Sequence, residues 1–161
     1  KNLGNPIFAQ AINDVIEKYN VPKNLIQVEI TETIDEYPLE YLKGVVFALR
    51  DYGIPTALDD FGTGSASLNL IKEVPFNVLK IDKSFINSLT EKDRKILGHI
   101  ISITGDVGAD AISEGVETKE QLSVLKELGC TTIQGYFFDK PLPKQVFESR
   151  MANPVYQIQT I

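Results

Sequence analysis

Two carboxylates in succession, Asp59 and Asp60, end the apolar run Ile54-Pro55-Thr56-Ala57-Leu58 and stand directly before Phe61-Gly62-Thr63-Gly64. Two like charges at a strand end, beside a tight glycine turn, call for a cation. Other polar groups fall at or near the ends of further apolar runs: Glu29, Lys80 with Asp82, Glu114 and Gln134. Carboxylates and an amide oxygen are hard ligands suited to Mg²⁺ or Mn²⁺, and the sequence has no His–Cys cluster of the kind zinc prefers. Two such ions ~3.5–4 Å apart stabilise both the attacking and the leaving oxygen of a phosphoester displacement. Adjacent Asp59 and Asp60 allow one carboxylate to bridge the pair, and Lys80 could steady a nucleophilic water or a phosphate oxygen. Taken singly, each acid is more simply a helix cap or a solvated loop residue, and Lys80 and Asp82 a pair on a polar face. The case for a metal site rests on four strand ends contributing polar groups to one consistent face.

The elements that must position these groups alternate between helix and strand. Pro6 to Tyr19 reads as a helix, with Asn5 as N-cap and Ile7, Ala11, Val15 and Tyr19 at helical spacing. Ile26 to Thr31 is a strand. Leu39 to Tyr52 is a helix with Gly53 as terminator, and Ile54 to Asp60 is the second strand. A short helix, Ser65 to Val74, precedes a strand over Phe76 to Asp82. Thr90 caps a helix from Glu91 to about Val107, with Asp93 favourable in its first turn. Ala109 to Glu114 is the fourth strand. Thr118 and Gln121 form a capping-box pattern for a helix ending at Gly129. Cys130 to Tyr136 is the fifth strand, and Pro143 starts a closing helix.

Such alternation argues for a parallel α/β sheet, either open and doubly wound or part of a (β/α) barrel. Side chains alternate between the faces of a strand. Val28 and Ile30 oppose Glu29, Leu58 opposes Asp59, Leu79 and Ile81 oppose Lys80 and Asp82, and Ile133 opposes Gln134. A central strand of a doubly wound sheet is apolar on both faces. A barrel strand is apolar outward and can carry polar groups inward near its C-terminal end, where barrel active sites lie. The expected fold is therefore a partial TIM-type barrel of about five parallel strands with flanking helices. Its N-terminal strands are missing, because eight units need about 250 residues and the chain has 161.

The bulk properties exclude several classes. A net charge of −6 makes a long nucleic acid a poor partner, whereas a small phosphorylated ligand is compatible with metals in the acidic cluster. No apolar run approaches the ~20 residues that span a bilayer. The single cysteine, Cys130, cannot form an internal disulfide and favours a reducing compartment; it reads as a buried, inert thiol, and lone His99 as a surface or packing residue. The chain opens on Lys1 rather than Met and is expected to be a piece of something longer.

Five motifs complete the reading: Val28-Glu29-Ile30-Thr31-Glu32, Leu58-Asp59-Asp60-Phe61-Gly62-Thr63-Gly64, Leu79-Lys80-Ile81-Asp82-Lys83-Ser84-Phe85, Ser113-Glu114-Gly115-Val116-Glu117-Thr118 and Gln134-Gly135-Tyr136. In order and type they are similar to the C-terminal two-thirds of an EAL-domain cyclic di-GMP phosphodiesterase. The resemblance implies a cytoplasmic barrel domain over residues 1–151, with a tail at 152–161, that hydrolyses cyclic di-GMP to linear pGpG with Mg²⁺ or Mn²⁺; a parent protein could be membrane-anchored upstream. By position, Glu29 and Asp59 would bind the first metal, and Asp59 would bridge to a second held with Asp60 and Glu114. Lys80 would lie beside the attacking water, supported by Asp82, and Glu114 would join them in catalysis. Glu32 would brace the loop Phe61 to Ser67, which in the family also serves dimerisation, and Glu117 and Gln134 would complete the substrate-binding mouth. The Glu-Ala-Leu triplet and the family's metal-binding Asn are absent from this sequence. Ser65, directly after the second glycine, stands where the family usually has an aromatic residue, and Ser113 replaces a usual alanine. The two-metal site is thus expected to be incomplete and the chain weak or inactive alone. The alternative is a module that binds cyclic di-GMP, or supports assembly, without cutting. Open strand edges at Ile26 to Thr31 and Cys130 to Tyr136 would favour self-association.

Overall fold

The computed structural model describes residues 6–31, 38–63 and 68–153. Its helices are α1 (Pro6–Lys18), α2 (Leu39–Asp51), α3 (Leu68–Glu73), α4 (Glu91–Asp106), α5 (Lys119–Glu127) and α6 (Lys144–Ala152). The strands between them are β1 (Val28–Thr31), β2 (Thr56–Phe61), β3 (Val78–Ile81), β4 (Asp110–Ser113) and β5 (Thr132–Ile133). They form one sheet in the order β1-β2-β3-β4-β5, and every neighbouring pair is parallel. This is the expected set of parallel strands with flanking helices, and β1 and β5 are its edges.

Local chemistry sets the element ends. Gly53, Gly108 and Gly129 have positive φ and follow α2, α4 and α5. The next N–H in each case reaches back into the last turn: Ile54 to Leu49 O at 2.9 Å, Ala109 to Thr104 O at 3.0 Å, Cys130 to Leu125 O at 2.9 Å. This arrangement satisfies carbonyls that a helix end would otherwise leave unpaired, and it turns the chain directly toward the following strand. At the other ends, Thr90 with Asp93 and Thr118 with Gln121 form reciprocal capping boxes on α4 and α5. The Thr118 box is the one the sequence pattern predicts.

The outward face of the sheet carries the core. Ile30, Leu58, Phe61, Leu79 and Ile81 pack with Leu42 and Val46 of α2, Ile71 of α3, Leu97 of α4, and Leu122 and Leu125 of α5. A second cluster joins Ala9 and Ile16 of α1 to Val45, Leu49 and Ile54. Fully burying one such aliphatic side chain is worth roughly 1.5–3 kcal/mol, so this face holds the sheet to its helices.

The fifth strand is shorter than the pattern predicts. The Gln134 N–H still reaches Ser113 O at 2.9 Å, but Val116 then takes over the pairing. Its N–H donates to Gln134 O at 3.1 Å, and its carbonyl accepts from Phe137 N at 2.9 Å. The chain turns there, with Phe138 N–H bonded to Gly135 O at 3.1 Å. A Cβ on Gly135 would lie 2.1 Å from Val116 O, so only glycine permits this approach. The α6 helix is tied to the preceding loop by Arg150, whose Nε lies 2.8 Å from Asp139 Oδ2. The predicted N-cap Asn5, the first residues of the predicted Ser65 helix, and positions 154–161 lie outside the described residues.

Candidate metal and active site

Paired residues of a parallel register share a face, which sorts the site from the core. Glu29 pairs with Ala57, Thr31 with Asp59 and Lys80 with Ile112; these point away from the core set. Strand alternation thus delivers Glu29, Asp59 and Lys80 to the inner face near the C-terminal strand ends, as the sequence predicts.

Asp60 needs a further device. In a regular strand it would point opposite to Asp59. Instead, Leu58 pairs with Leu79 and Phe61 with Ile81, so β2 spends one more residue than β3 over that interval. This is a β-bulge, and Asp60 takes φ +54 within it, a left-handed conformation unusual for a residue with a side chain. The Asp60 N–H donates to Asp59 Oδ1 at 3.0 Å. The Asp60 carbonyl accepts from the Thr63 N–H at 3.2 Å and the Thr63 hydroxyl at 3.0 Å. The bulge lets both Leu58 and Phe61 join the core while the two acids between them serve one site. Carboxylate oxygens of Asp59, Asp60 and Glu114 all lie within 4.8 Å of one another.

Lys80 stands at the centre. Its Nζ lies 2.8 Å from Asp59 Oδ1, 2.9 Å from Glu114 Oε1 and 2.9 Å from Glu29 Oε1. Its side chain is 10% exposed, against 17% for Asp59, 18% for Glu114 and 46% for Glu29. Burial pulls the Lys80 pKa down, but hydrogen bonds to Asp59, Glu114 and Glu29 outweigh it and raise the pKa above its ordinary value. The ammonium is therefore fixed in its charged form.

Next to this cluster is a cleft of about 270 Å³ whose lining includes Asp82, Glu114, Glu117, Gln134 and Tyr136. Glu114 belongs to both the ion cluster and the cleft, so it joins the two halves of the site. The cleft collects the predicted mouth residues Glu117 and Gln134. Asp82 lines it as well, but its carboxylate accepts from the Ser84 N–H at 2.9 Å and caps the 3₁₀ turn Lys83–Phe85. Burial pushes the Asp82 carboxyl up, while hydrogen bonds from Ser84 and Lys83 outweigh this and hold it below the usual range. Asp82 therefore shapes the turn after β3. Glu32, predicted to brace the Phe61–Ser67 loop, lies outside the described residues, as does the loop from position 64 to 67.

Two residues have positioning contacts that the sequence patterns do not show. Phe85 stacks on Phe61 with ring centroids 6.5 Å apart. A Cβ on Gly62, at φ +101, would lie 2.0 Å from the Phe85 ring; the ring and the bare glycine together fix the turn after the bulge. Gln121 does more than cap α5. Its Oε1 accepts from the N–H groups of Glu117 at 2.8 Å and Thr118 at 3.0 Å, and its Nε2 donates to Ile86 O at 3.2 Å. It thereby ties the loop that follows Glu114 to the turn after β3.

Three clustered carboxylates give an oxygen-only donor set, the chemistry that Mg²⁺ and Mn²⁺ take. The residues present fit such an ion: Asp59, Asp60 and Glu114 could supply the ligand oxygens, while Glu29, expected to be a metal ligand, lies outside this group of three and is paired with Lys80.

Comparisons with known proteins agree with this geometry. The profile of the family described as "EAL domain" matches residues 1–141. The chain is 32% identical over 149 residues to the cyclic di-GMP phosphodiesterase NbdA of Pseudomonas aeruginosa, covering 91% of this chain and 19% of that protein. It superposes on the crystal structure of the EAL domain of Mycobacterium smegmatis DcpA with a TM-score of 0.85 and 31% identity, over 90% of this chain and 66% of the other. It also matches the manganese and cyclic di-GMP complex of Klebsiella pneumoniae BlrP1, with a TM-score of 0.78 and 26% identity, over 85% of this chain and 36% of that one. The chain thus spans about a fifth of the curated relative and about two thirds of a solved domain.

Proposed function

The chain belongs to the EAL domain family, and on that premise we propose that it forms the metal-binding core of a phosphodiesterase domain that hydrolyses cyclic di-GMP to linear pGpG. The observation that carries this reading is the convergence of Asp59, Asp60 and Glu114 within 4.8 Å, with Lys80 held among the acids. In the reaction, water adds to one phosphorus, the bond from that phosphorus to the 3′ oxygen breaks, and the 3′ oxygen takes a proton. Bound Mg²⁺ or Mn²⁺ lowers the pKa of a coordinated water and polarises the phosphoryl oxygen.

The chain's own residues divide the remaining work. Asp59 and Asp60, set side by side by the bulge, hold the metals together with Glu114, and Glu29 adds a ligand from β1. Lys80, permanently charged, orients the attacking water or a phosphate oxygen. Asp82 fixes the turn beside it. Glu117 and Gln134 line the cleft and bind the nucleotide. This chain covers 66% of the DcpA structure, so the activity is assigned to the whole domain and compared between the chain and an upstream-extended form.

The test is hydrolysis of cyclic di-GMP with Mn²⁺, following pGpG by chromatography, for the chain and for an upstream-extended form. Asp59→Asn in the extended form should lower the rate by at least about 100-fold. An extended form that binds the nucleotide tightly without turnover would replace this reading with that of a non-catalytic sensor. The edges β1 and β5 each pair on one side only among the described residues, which supports self-association of the isolated chain; a monodisperse monomer in light scattering at micromolar concentration would refute that. No helix among the described residues is long and apolar enough to cross a membrane. The buried free thiol of Cys130 fits a reducing cytoplasm.

A further inference from the structure

An ammonium group has three N–H donors, and Lys80 has three carboxylates within ion-pair distance, on Glu29, Asp59 and Glu114. Two of those acids, Asp59 and Glu114, are also two of the three whose oxygens converge into a possible cation site. The same carboxylates therefore face two claimants of like charge. Lys80 is buried and comes from a central strand of the sheet, so it cannot withdraw far into solvent. An ordinary acidic metal site repels itself when empty; this one carries its own counter-ion.

We propose that Lys80 is the resident counter-ion of the acidic site and competes with a divalent cation for Asp59 and Glu114, so that metal entry is coupled to release of the ammonium toward the cleft. This rests on the metal-binding reading above. Without metal, Lys80 holds β1, β2 and β4 together through Glu29, Asp59 and Glu114. With metal, the neutralising role passes to the ion, and the freed ammonium becomes available to a phosphate oxygen. Lys80 thus has two successive roles, of which only the second involves substrate.

The experiment is a calorimetric Mn²⁺ titration of the full chain, without nucleotide, comparing wild type, Lys80→Met and Lys80→Arg. Removing the charge at near-constant length should tighten Mn²⁺ binding by about 10-fold, a coupling of ordinary size. Lys80→Arg keeps the charge and should leave the affinity within about 3-fold of wild type, on the same scale. Mn²⁺ should also raise the melting temperature of Lys80→Met more than that of wild type. Should Lys80→Met fail to fold without metal, the wild-type Lys80 ammonium signal is followed by nitrogen-detected NMR during a Mg²⁺ titration. It should shift as the ion pairs open, and an unchanged signal at Mg²⁺ saturation overturns the proposal. Equal or weaker Mn²⁺ binding by Lys80→Met overturns the competition alone and leaves the metal site standing. No Mn²⁺ binding by any form overturns both. Failure of cyclic di-GMP hydrolysis with these affinity differences intact would refute only the enzymatic reading.

Discussion

The two faces of the sheet are built from the same strands and held by different forces. Outward, Ile30, Leu58, Leu79 and Ile81 meet helices in a close-packed apolar layer. Inward, one or two residues away along the same strands, Glu29, Asp59 and Lys80 form an ion cluster completed by Glu114. Apolar burial is non-directional and roughly proportional to area, so the outer face tolerates exchange of one aliphatic residue for another. The inner face depends on individual oxygens at 2.8–2.9 Å, and a buried charge that loses its partner is costly. Stability is therefore concentrated on one side of the sheet and specificity on the other.

Leu58→Ala should have the largest effect on stability. It opens a cavity in the outer layer and costs about 3 kcal/mol, seen as a lower denaturant midpoint. Mn²⁺ should raise this variant by the same increment as wild type, because the site is untouched. A larger metal rescue would erase the distinction between the faces. Gly62→Ala should come next, at about 2 kcal/mol, because it places a Cβ at positive φ against the Phe85 ring. Unlike the first variant, it should also weaken Mn²⁺ binding in calorimetry by disturbing Asp59 and Asp60; unchanged affinity would separate the turn from the site. Thr118→Ala removes the α5 cap and should cost about 1 kcal/mol. Because Gln121 shares that cap with the loop after Glu114, hydrolysis by the extended form should fall as well, and a stability loss with unchanged rate would make the cap purely structural.

The smallest effect concerns acid. The folded Asp82 carboxyl lies below its ordinary value of 3.8, so under acid the unfolded chain takes up its proton first. The contribution of Asp82 is complete above pH 3.8 and disappears as pH falls through the lower folded value. Asp82→Asn should flatten the acid limb of a stability-against-pH curve, and an unaltered limb would assign the slope to other carboxylates.

The parts of this comparison that were legible in the sequence are those with a fixed period. Alternation in Leu79-Lys80-Ile81 separates the faces of β3 correctly, and Thr118 with Gln121 announces a helix start. The bulge was not legible. Asp60 adopts a positive φ without being glycine, and only the one-residue excess over β3 shows why two adjacent acids share a site. The role of Phe85 was also invisible, since its ring meets Gly62 across the gap between two strands. The end of β5 was misread because its pairing passes to Val116, a backbone exchange that side-chain patterns do not encode.

The strand order has a consequence for how the chain assembles. Each strand pairs with its successor, so neighbouring units can dock one after another with short loop closures. The partners of Lys80, however, come from β1, β2 and the end of β4. Its ammonium must stay hydrated in any species that lacks one of these, and it finds all three carboxylates only once four strands are in place. Closure of this cluster therefore follows the docking of the first four strands, and protection of the Lys80 ammonium would report when β1 to β4 have come together, whether or not β5 has joined them.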